Sequence, residues 1–194
     1  MIGSHNSMTY LPPVHRFWRL FTPFWRCQNK TIEEQKKAGV EFFDLRVVWD
    51  RKLCCWRFAH GLVTFKGSIY LVYDTVRYLE EQDLRYRIVL ERGDGWTERQ
   101  FRSTSGSSRP GSGCTDIIIK RGWKPIYSKD CGIRVYDHSF VPFHSDRPWW
   151  RQLSWRMFCT PRLWAKRHNT VRNSWKKSGN TVHFYDFATE LKDK

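Results

Sequence analysis

The sequence predicts an α/β protein, built as a compact TIM-type (β/α) barrel that is incomplete or distorted. Three observations carry this prediction. Strand-like and helix-like segments alternate through the first half of the chain, which implies a largely parallel sheet. Four successive strand-like runs each end in ionisable residues. Functional groups at the carboxyl ends of successive parallel strands mark the active face of such a barrel. The chain has 194 residues, 40% of them hydrophobic, which supports one core and a single domain over 1–194. That length falls short of the roughly 250 residues common for a complete barrel, so short helices or a missing element are expected.

The first run is Ile2-Gly3-Ser4-His5-Asn6-Ser7. It reads as a strand end that delivers a histidine and an amide into a loop of small residues. Gly3, Ser4 and Ser7 leave room for a ligand near the backbone, and a histidine there can exchange protons near neutral pH. Taken alone, the same run also fits a polar surface turn. A helix is predicted over 31–38, where Glu33, Glu34, Lys36 and Lys37 precede the helix stop Gly39. Residues 39–49 read as a buried strand interrupted by Asp44 and Arg46. These two lie on one face of the strand, where opposite charges are costly unless paired or functional. Residues 56–63 read as a strand with His60 set against Gly61 near its end. A second helix is predicted over 68–82, with Ile69, Val72, Val76 and Leu79 near the helical period. Residues 86–94 form the fourth strand, with Glu91 and Asp94 at its exit.

The distal half is less legible. Residues 102–114 are rich in Gly and Ser and read as a flexible loop. Strands are predicted at 116–119, 133–136 and 181–187, the last carrying Asp186. His15, His138, His144, His168 and His183 read as surface or packing residues. Cys27, Cys54, Cys55, Cys114, Cys131 and Cys159 show no Cys-x-x-Cys spacing, which argues against a zinc site and for unpaired thiols. Disulfides stay open if the chain is exported.

Taken in order, Gly3 to Ser7, the glutamine-bearing stretch 28–35 leading into Gly39-x-x-x-x-Asp44-x-Arg46, Ala59-His60-Gly61, and Val89-Leu90-Glu91 resemble the catalytic X region of phosphatidylinositol-specific phospholipases C in compact single-domain form. The resemblance is clear over 1–95 and weak over 96–194. It implies a phosphodiesterase that releases diacylglycerol and a cyclic inositol phosphate. His5 is then the general base on the inositol 2-hydroxyl and His60 the general acid for the leaving oxygen, a task that suits imidazoles near pH 7. Arg46 matches an arginine aimed at the phosphate. Asp44 accompanies it. Asp186 stands where the family places an aspartate that bonds the base histidine, although a strand-end cap is an equal reading of that residue.

Asn6 departs from the aspartate of metal-free bacterial members and looks like calcium-binding ones. In that alternative Asn6, Asp44 and Glu91 are the candidate ligands. Calcium takes six to eight oxygens, these three offer only part of a shell, and Arg46 would repel the ion. The expectation is therefore catalysis without a cofactor, with calcium as the alternative and with Asn6 and Glu91 orienting His60 and Arg46.

The formal net charge is +15 and the chain has 11 Trp. An anionic phospholipid surface is the expected partner, contacted peripherally, with an inositol phospholipid as substrate and the protein a monomer. Trp149, Trp150 and Trp155 lie in an aromatic, arginine-rich stretch that fits a bilayer interface or a barrel-covering helix, and Trp18 lies in a second such stretch. Nucleic acid is a rival partner, but the basic residues are spread along the chain and carry no recognition motif. A glycerophosphodiester phosphodiesterase is the enzymatic rival. It calls for Glu-x-Asp where this chain has Asp44-x-Arg46. A binding domain without activity is a further rival, against which stand the two retained histidines. No run of about 18 apolar residues and no signal peptide is seen. A cytoplasmic or phage- or virus-associated protein acting at membranes is expected.

Overall fold

The computed structural model describes residues 1–105, 114–120, 134–137, 160–171 and 181–193. Its strands are β1 (Ile2–Ser4), β2 (Phe42–Asp50), β3 (Cys55–His60), β4 (Val63–Thr64), β5 (Arg85–Glu91), β6 (Cys114–Lys120), β7 (Arg134–Asp137), β8 (Thr170–Val171), β9 (Thr181–Tyr185) and β10 (Lys192–Asp193). The helices are α1 (Thr22–Trp25), preceded by a 3-10 helix over Arg16–Phe21, then α2 (Ile32–Lys37), α3 (Leu71–Glu81), α4 (Gly95–Ser105) and α5 (Pro161–His168).

β2 is the hub of an eight-stranded sheet. It pairs in parallel with β1 on one side and β5 on the other, and the parallel run continues as β6-β5-β2-β1-β9-β7. Among the described residues no pairing joins β6 to β7, so the sheet is not closed into a complete barrel. β8 and β10 form a separate parallel pair.

The alternation of side chains along β2 builds two environments. Phe43, Leu45 and Val47 join Ile88 and Leu90 of β5 and Val72, Val76 and Leu79 of α3 in the main apolar core. Phe42 instead meets Val182 and Phe184 on the opposite face, in a small cluster of its own. Gly3 of β1 lies against that cluster. A Cβ there would stand 2.7 Å from Phe184 Cδ1 and 2.8 Å from Val182 Cγ1, so only glycine fits.

The helices follow their local signals. α2 opens with a capping box in which the Thr31 side chain accepts from the Glu34 amide and the Glu34 carboxylate accepts from the Thr31 amide. α3 buries Val72, Thr75, Val76 and Leu79. Ile69, assigned to that face from the sequence, precedes the helix and is exposed. Residues 102–105, read as loop, extend α4, where Arg102 pairs with Glu98 one turn earlier. Residues 106–113 lie outside the described residues.

One strand runs against the expected order. The last four residues of β2 pair antiparallel with β3, from Val47↔Phe58 to Asp50↔Cys55. The turn at 51–54 between them leaves no room for a crossover helix, so the chain must double back as a hairpin. His60 therefore reaches the site from a hairpin and not from a parallel strand.

Candidate active site

The register sets the site. Ser4 pairs with Phe43 on one side and with Tyr185 on the other, so His5 leaves β1 beside Asp44 of β2 and Asp186 at the end of β9. The His5 amide donates to the Tyr185 carbonyl and the Ser7 amide to the Asp44 carbonyl, which continues the strand pairing into the loop. Two buried glutamines hold that loop. Gln28 Nε2 donates to the His5 carbonyl at 2.9 Å and to the Tyr185 carbonyl at 2.8 Å. Gln35 Nε2 donates to the Ser7 carbonyl at 2.9 Å, and its oxygen accepts from Ser4 Oγ. Asn6 turns the loop in the left-handed region at φ 48°, a conformation asparagine tolerates better than most residues.

The hydrogen bonds fix the His5 tautomer. Arg46 Nη2 lies 2.6 Å from His5 Nε2 and can only donate, so Nε2 is the acceptor. Nδ1 therefore carries the proton and donates to Asp186 Oδ1 at 2.8 Å. His5 is thus held between a carboxylate and a guanidinium, with its unprotonated nitrogen facing Arg46. His60 stands across from it, the two rings 6.5 Å apart and nearly perpendicular. His60 Nδ1 donates to the Trp25 carbonyl at 2.7 Å, leaving Nε2 for proton exchange. Burial, aided by the Arg46 charge, pushes the His60 pKa down to about 3, so the ring is neutral at pH 7 in the free protein.

Charge runs through the site as a chain. Arg46 Nε donates to Asp44 Oδ2 at 3.0 Å and Arg46 Nη1 to Glu91 Oε1 at 3.4 Å. Arg87 Nε donates to Asp44 Oδ1 at 2.6 Å, and its guanidinium lies 4.2 Å over the Phe184 ring. Lys120 Nζ donates to Glu91 Oε1 at 3.0 Å. Burial raises the Asp44 carboxyl, but Arg46 and Arg87 together hold it well below the usual carboxylate range. Burial likewise opposes Glu91, yet Arg46 and Lys120 keep its pKa lowered. Burial and then Arg46 lower the Lys120 pKa.

His5, Asn6, Asp44, Arg46, His60, Glu91 and Asp186 are thus brought into one neighbourhood. Sequence reasoning missed Arg87, Lys120 and Cys27. Lys120 is the first charged residue after the apolar run 117–119, the same strand-exit signal that marked Glu91. Arg87 was a charge inside a buried strand, as Asp44 was. No local pattern singles out Cys27, which is buried and accepts from Asn6 Nδ2 at 3.5 Å.

Two of the three candidate calcium ligands, Asp44 and Glu91, are already paired with cationic side chains. The Arg46 guanidinium bonds both Asp44 and Glu91, Arg87 takes the other oxygen of Asp44, and Lys120 shares Glu91 Oε1 with Arg46. A hard cation would have to displace these positive groups.

Of the interfacial candidates, Trp149, Trp150 and Trp155 lie outside the described residues. Trp18 is half-buried and packs against the core. Its neighbours project instead: Phe17, Leu20, Phe21 and Phe24 are exposed, Leu20 by 77%. They occupy the 3-10 helix and α1, which end at Trp25, the residue whose carbonyl holds His60. Among the described residues no helix is long and apolar enough to cross a membrane.

No family model matches the sequence, and no curated protein does. Solved structures do match. One is the phosphatidylinositol-specific phospholipase C from Listeria monocytogenes, at 14% identity and a TM-score of 0.60, with 96% of this chain and 87% of that chain covered. Another is a double mutant of the phosphatidylinositol-specific phospholipase C from S. aureus, at 13% identity and a TM-score of 0.59, covering 96% of this chain and 84% of that one. Nearly the whole chain superposes on these enzymes, so it has the fold of the bacterial phosphatidylinositol-specific phospholipases C.

Proposed function

We propose that this chain cleaves phosphatidylinositol-type lipids by acid–base catalysis between His5 and His60. The observation that carries the reading is the Asp186–His5–Arg46 relay, which presents an unprotonated Nε2 opposite a second histidine. The inositol 2-hydroxyl takes the place that Arg46 Nη2 holds on His5 Nε2. Its oxygen attacks phosphorus while its proton passes to Nε2, and Asp186 stabilises the resulting imidazolium. Arg46 turns its donors to the phosphate oxygens, where charge builds in the transition state. The bond from phosphorus to the glycerol oxygen breaks, and His60 Nε2 supplies the proton that oxygen needs. His60 gains that proton on substrate binding, because a phosphodiester anion beside the ring favours its charged form against the lowering by burial and by Arg46. The products are diacylglycerol and a cyclic inositol phosphate.

The reaction needs no metal ion in this reading, since Arg46 occupies the position where a cation would meet Asp44 and Glu91. Product analysis on labelled phosphatidylinositol tests both points. Cyclic inositol phosphate should appear at the same rate with and without excess chelator. Release of free inositol with phosphatidic acid, or no release of diacylglycerol, overturns the reaction, and activity lost to chelator but restored by calcium overturns the role of Arg46.

The lipid surface is met by the 3-10 helix and α1, with Phe17, Leu20, Phe21 and Phe24 entering the interface while the +15 net charge favours anionic lipid. Each such side chain contributes about 1.5 to 3 kcal/mol when buried. Replacing Phe17 and Leu20 by serine should weaken binding to anionic vesicles by about tenfold or more. Cleavage of a soluble inositol phosphodiester should be unchanged. Vesicle binding equal to the parent's would remove this surface from the account.

A further inference from the structure

Cys27 has no part in the proposed reaction, yet it lies inside the site. The Cys27 carbonyl accepts from the Phe187 amide, which fixes the residue beside Asp186. A ring nitrogen of His5, Cys27 Sγ and an Asp186 carboxylate oxygen all lie within 4.8 Å of one another, all three residues are buried, and Nδ1 is the nitrogen bonded to Asp186 at 2.8 Å. A fourth group faces the same cluster. The Asn6 side-chain nitrogen is 3.4 Å from both ring nitrogens of His5 and 3.5 Å from Cys27 Sγ. Its oxygen, Oδ1, is buried without a hydrogen-bond partner. Rotating that amide by half a turn aims Oδ1 at the cluster and ends its isolation, which is costly as it stands.

We infer that His5 Nδ1, Cys27 Sγ, Asp186 and Asn6 Oδ1 form a binding site for a soft or borderline divalent ion of the zinc type, and that its occupation switches the enzyme off. Zinc accepts nitrogen, sulfur and oxygen together in a tetrahedral shell, with bonds of about 2.0 to 2.3 Å that hold the donor atoms roughly 3 to 4 Å apart. Reaching that spacing from within 4.8 Å takes side-chain rotation of His5, Cys27 and Asp186 and the half-turn of the Asn6 amide. It is distinct from the set Asn6, Asp44 and Glu91, whose carboxylates are taken by arginine and lysine. Arg46 does not block it, because Arg46 bonds His5 Nε2 and leaves Nδ1, the nitrogen bonded to Asp186, to the ion. The cysteine spacing argued against zinc only because the ligands come from three distant segments of chain.

Burial keeps the Cys27 thiol protonated in the free protein, and the ion displaces that proton to solvent as the thiolate binds. The ion also takes His5 Nδ1, and the proton there moves to Nε2. An Nε2 that carries a proton cannot accept one from an inositol hydroxyl, and it opposes the N–H of Arg46. The base is lost and the Arg46–His5 contact opens.

The inhibition rests on His5 being the base; the binding does not. Cobalt(II) is the spectroscopic probe and zinc the calorimetric one, both on the full chain. The parent protein should take up one ion and show a thiolate-to-cobalt charge-transfer band with the visible absorption of a tetrahedral site. Cys27→Ser should abolish the band and weaken zinc binding by about 100-fold or more, whereas Cys54→Ser, at an exposed thiol, should change neither. No band in the parent, or a band that survives in Cys27→Ser, overturns the site. If Cys27→Ser does not fold, the parent's spectrum alone still decides. With the site established, zinc should suppress turnover of the parent relative to its zinc-free rate. A zinc-loaded parent that turns over normally overturns His5 as the base and leaves the metal site standing.

Discussion

Replacing His5 by alanine should lower release of cyclic inositol phosphate by about 100- to 10,000-fold, the range a positioned general base contributes. The same loss is expected for His60→Ala. The two variants should differ from Asp186→Asn, which keeps the base but removes the charge that stabilises its protonated form. Asp186→Asn should retain measurable turnover, reduced because the imidazolium formed in the reaction is less stabilised. Turnover measured on a soluble inositol phosphodiester excludes membrane binding as the cause. Undiminished turnover by either alanine variant would sink the two-histidine mechanism. A companion measurement concerns the protonation of His60. Burial and Arg46 place its pKa at about 3, so its ring resonances should stay those of neutral imidazole down to pH 5 in the free protein. A phosphate-bearing ligand should raise that pKa.

The largest effect on folding is expected from the Asp44 cluster. Asp44 is buried completely and holds both Arg46 and Arg87, themselves almost without exposure. Asp44→Asn removes the one carboxylate they share and leaves the buried Arg87 charge uncompensated. Breaking a buried pair from one side costs about 3 to 5 kcal/mol, which is a large part of the stability of a domain. Chemical denaturation should show that loss. Asp44→Asn combined with Arg87→Met should recover a good part of it, because the stranded charge is gone. The sign of the pH dependence follows from the depressed carboxyl. Its stabilisation is complete above the ordinary carboxylate pKa of about 4 and is lost as the pH falls through the lower folded-state value. Asp44→Asn should therefore be less sensitive to acid than the parent over that range. A variant as stable as the parent would mean that water, and not Asp44, solvates Arg87.

Much of the site was legible because charge is costly inside a sheet. Asp44 and Arg46 stood out as charges in an apolar run, and His5, His60 and Glu91 stood out at the exits of such runs. The α2 boundaries were legible because the capping signals are local. The misreadings have equally physical causes. Helical periodicity counted Ile69 into α3, but the helix begins at Leu71 and leaves that side chain in solvent. Glycine and serine after Arg102 suggested loop, yet the Glu98–Arg102 pair carries the helix to Ser105. In the second aromatic stretch the structure leaves Trp18 half-buried against the core while Phe17 and Leu20 project.

The opening Ile2-Gly3-Ser4-His5-Asn6 offered a strand end delivering a histidine into a loop of small residues, a reading that gained weight over a polar surface turn only beside the charged strand exits downstream. The sequence also determined the parallel, alternating layout, because hydrophobic period and turn residues act over a few positions. Only the tertiary structure decided what His5 does with its two nitrogens. Asp186 lies 181 residues away and Arg46 41 residues away. Their hydrogen bonds, which exist only once β1 pairs with β2 and β9, place the proton on Nδ1 and leave Nε2 open to accept. The return of β3 as a hairpin, which sets His60 opposite, and the arrival of Cys27 beside Asp186 belong to the same level. Strand pairing across the sheet joins segments that no local pattern connects.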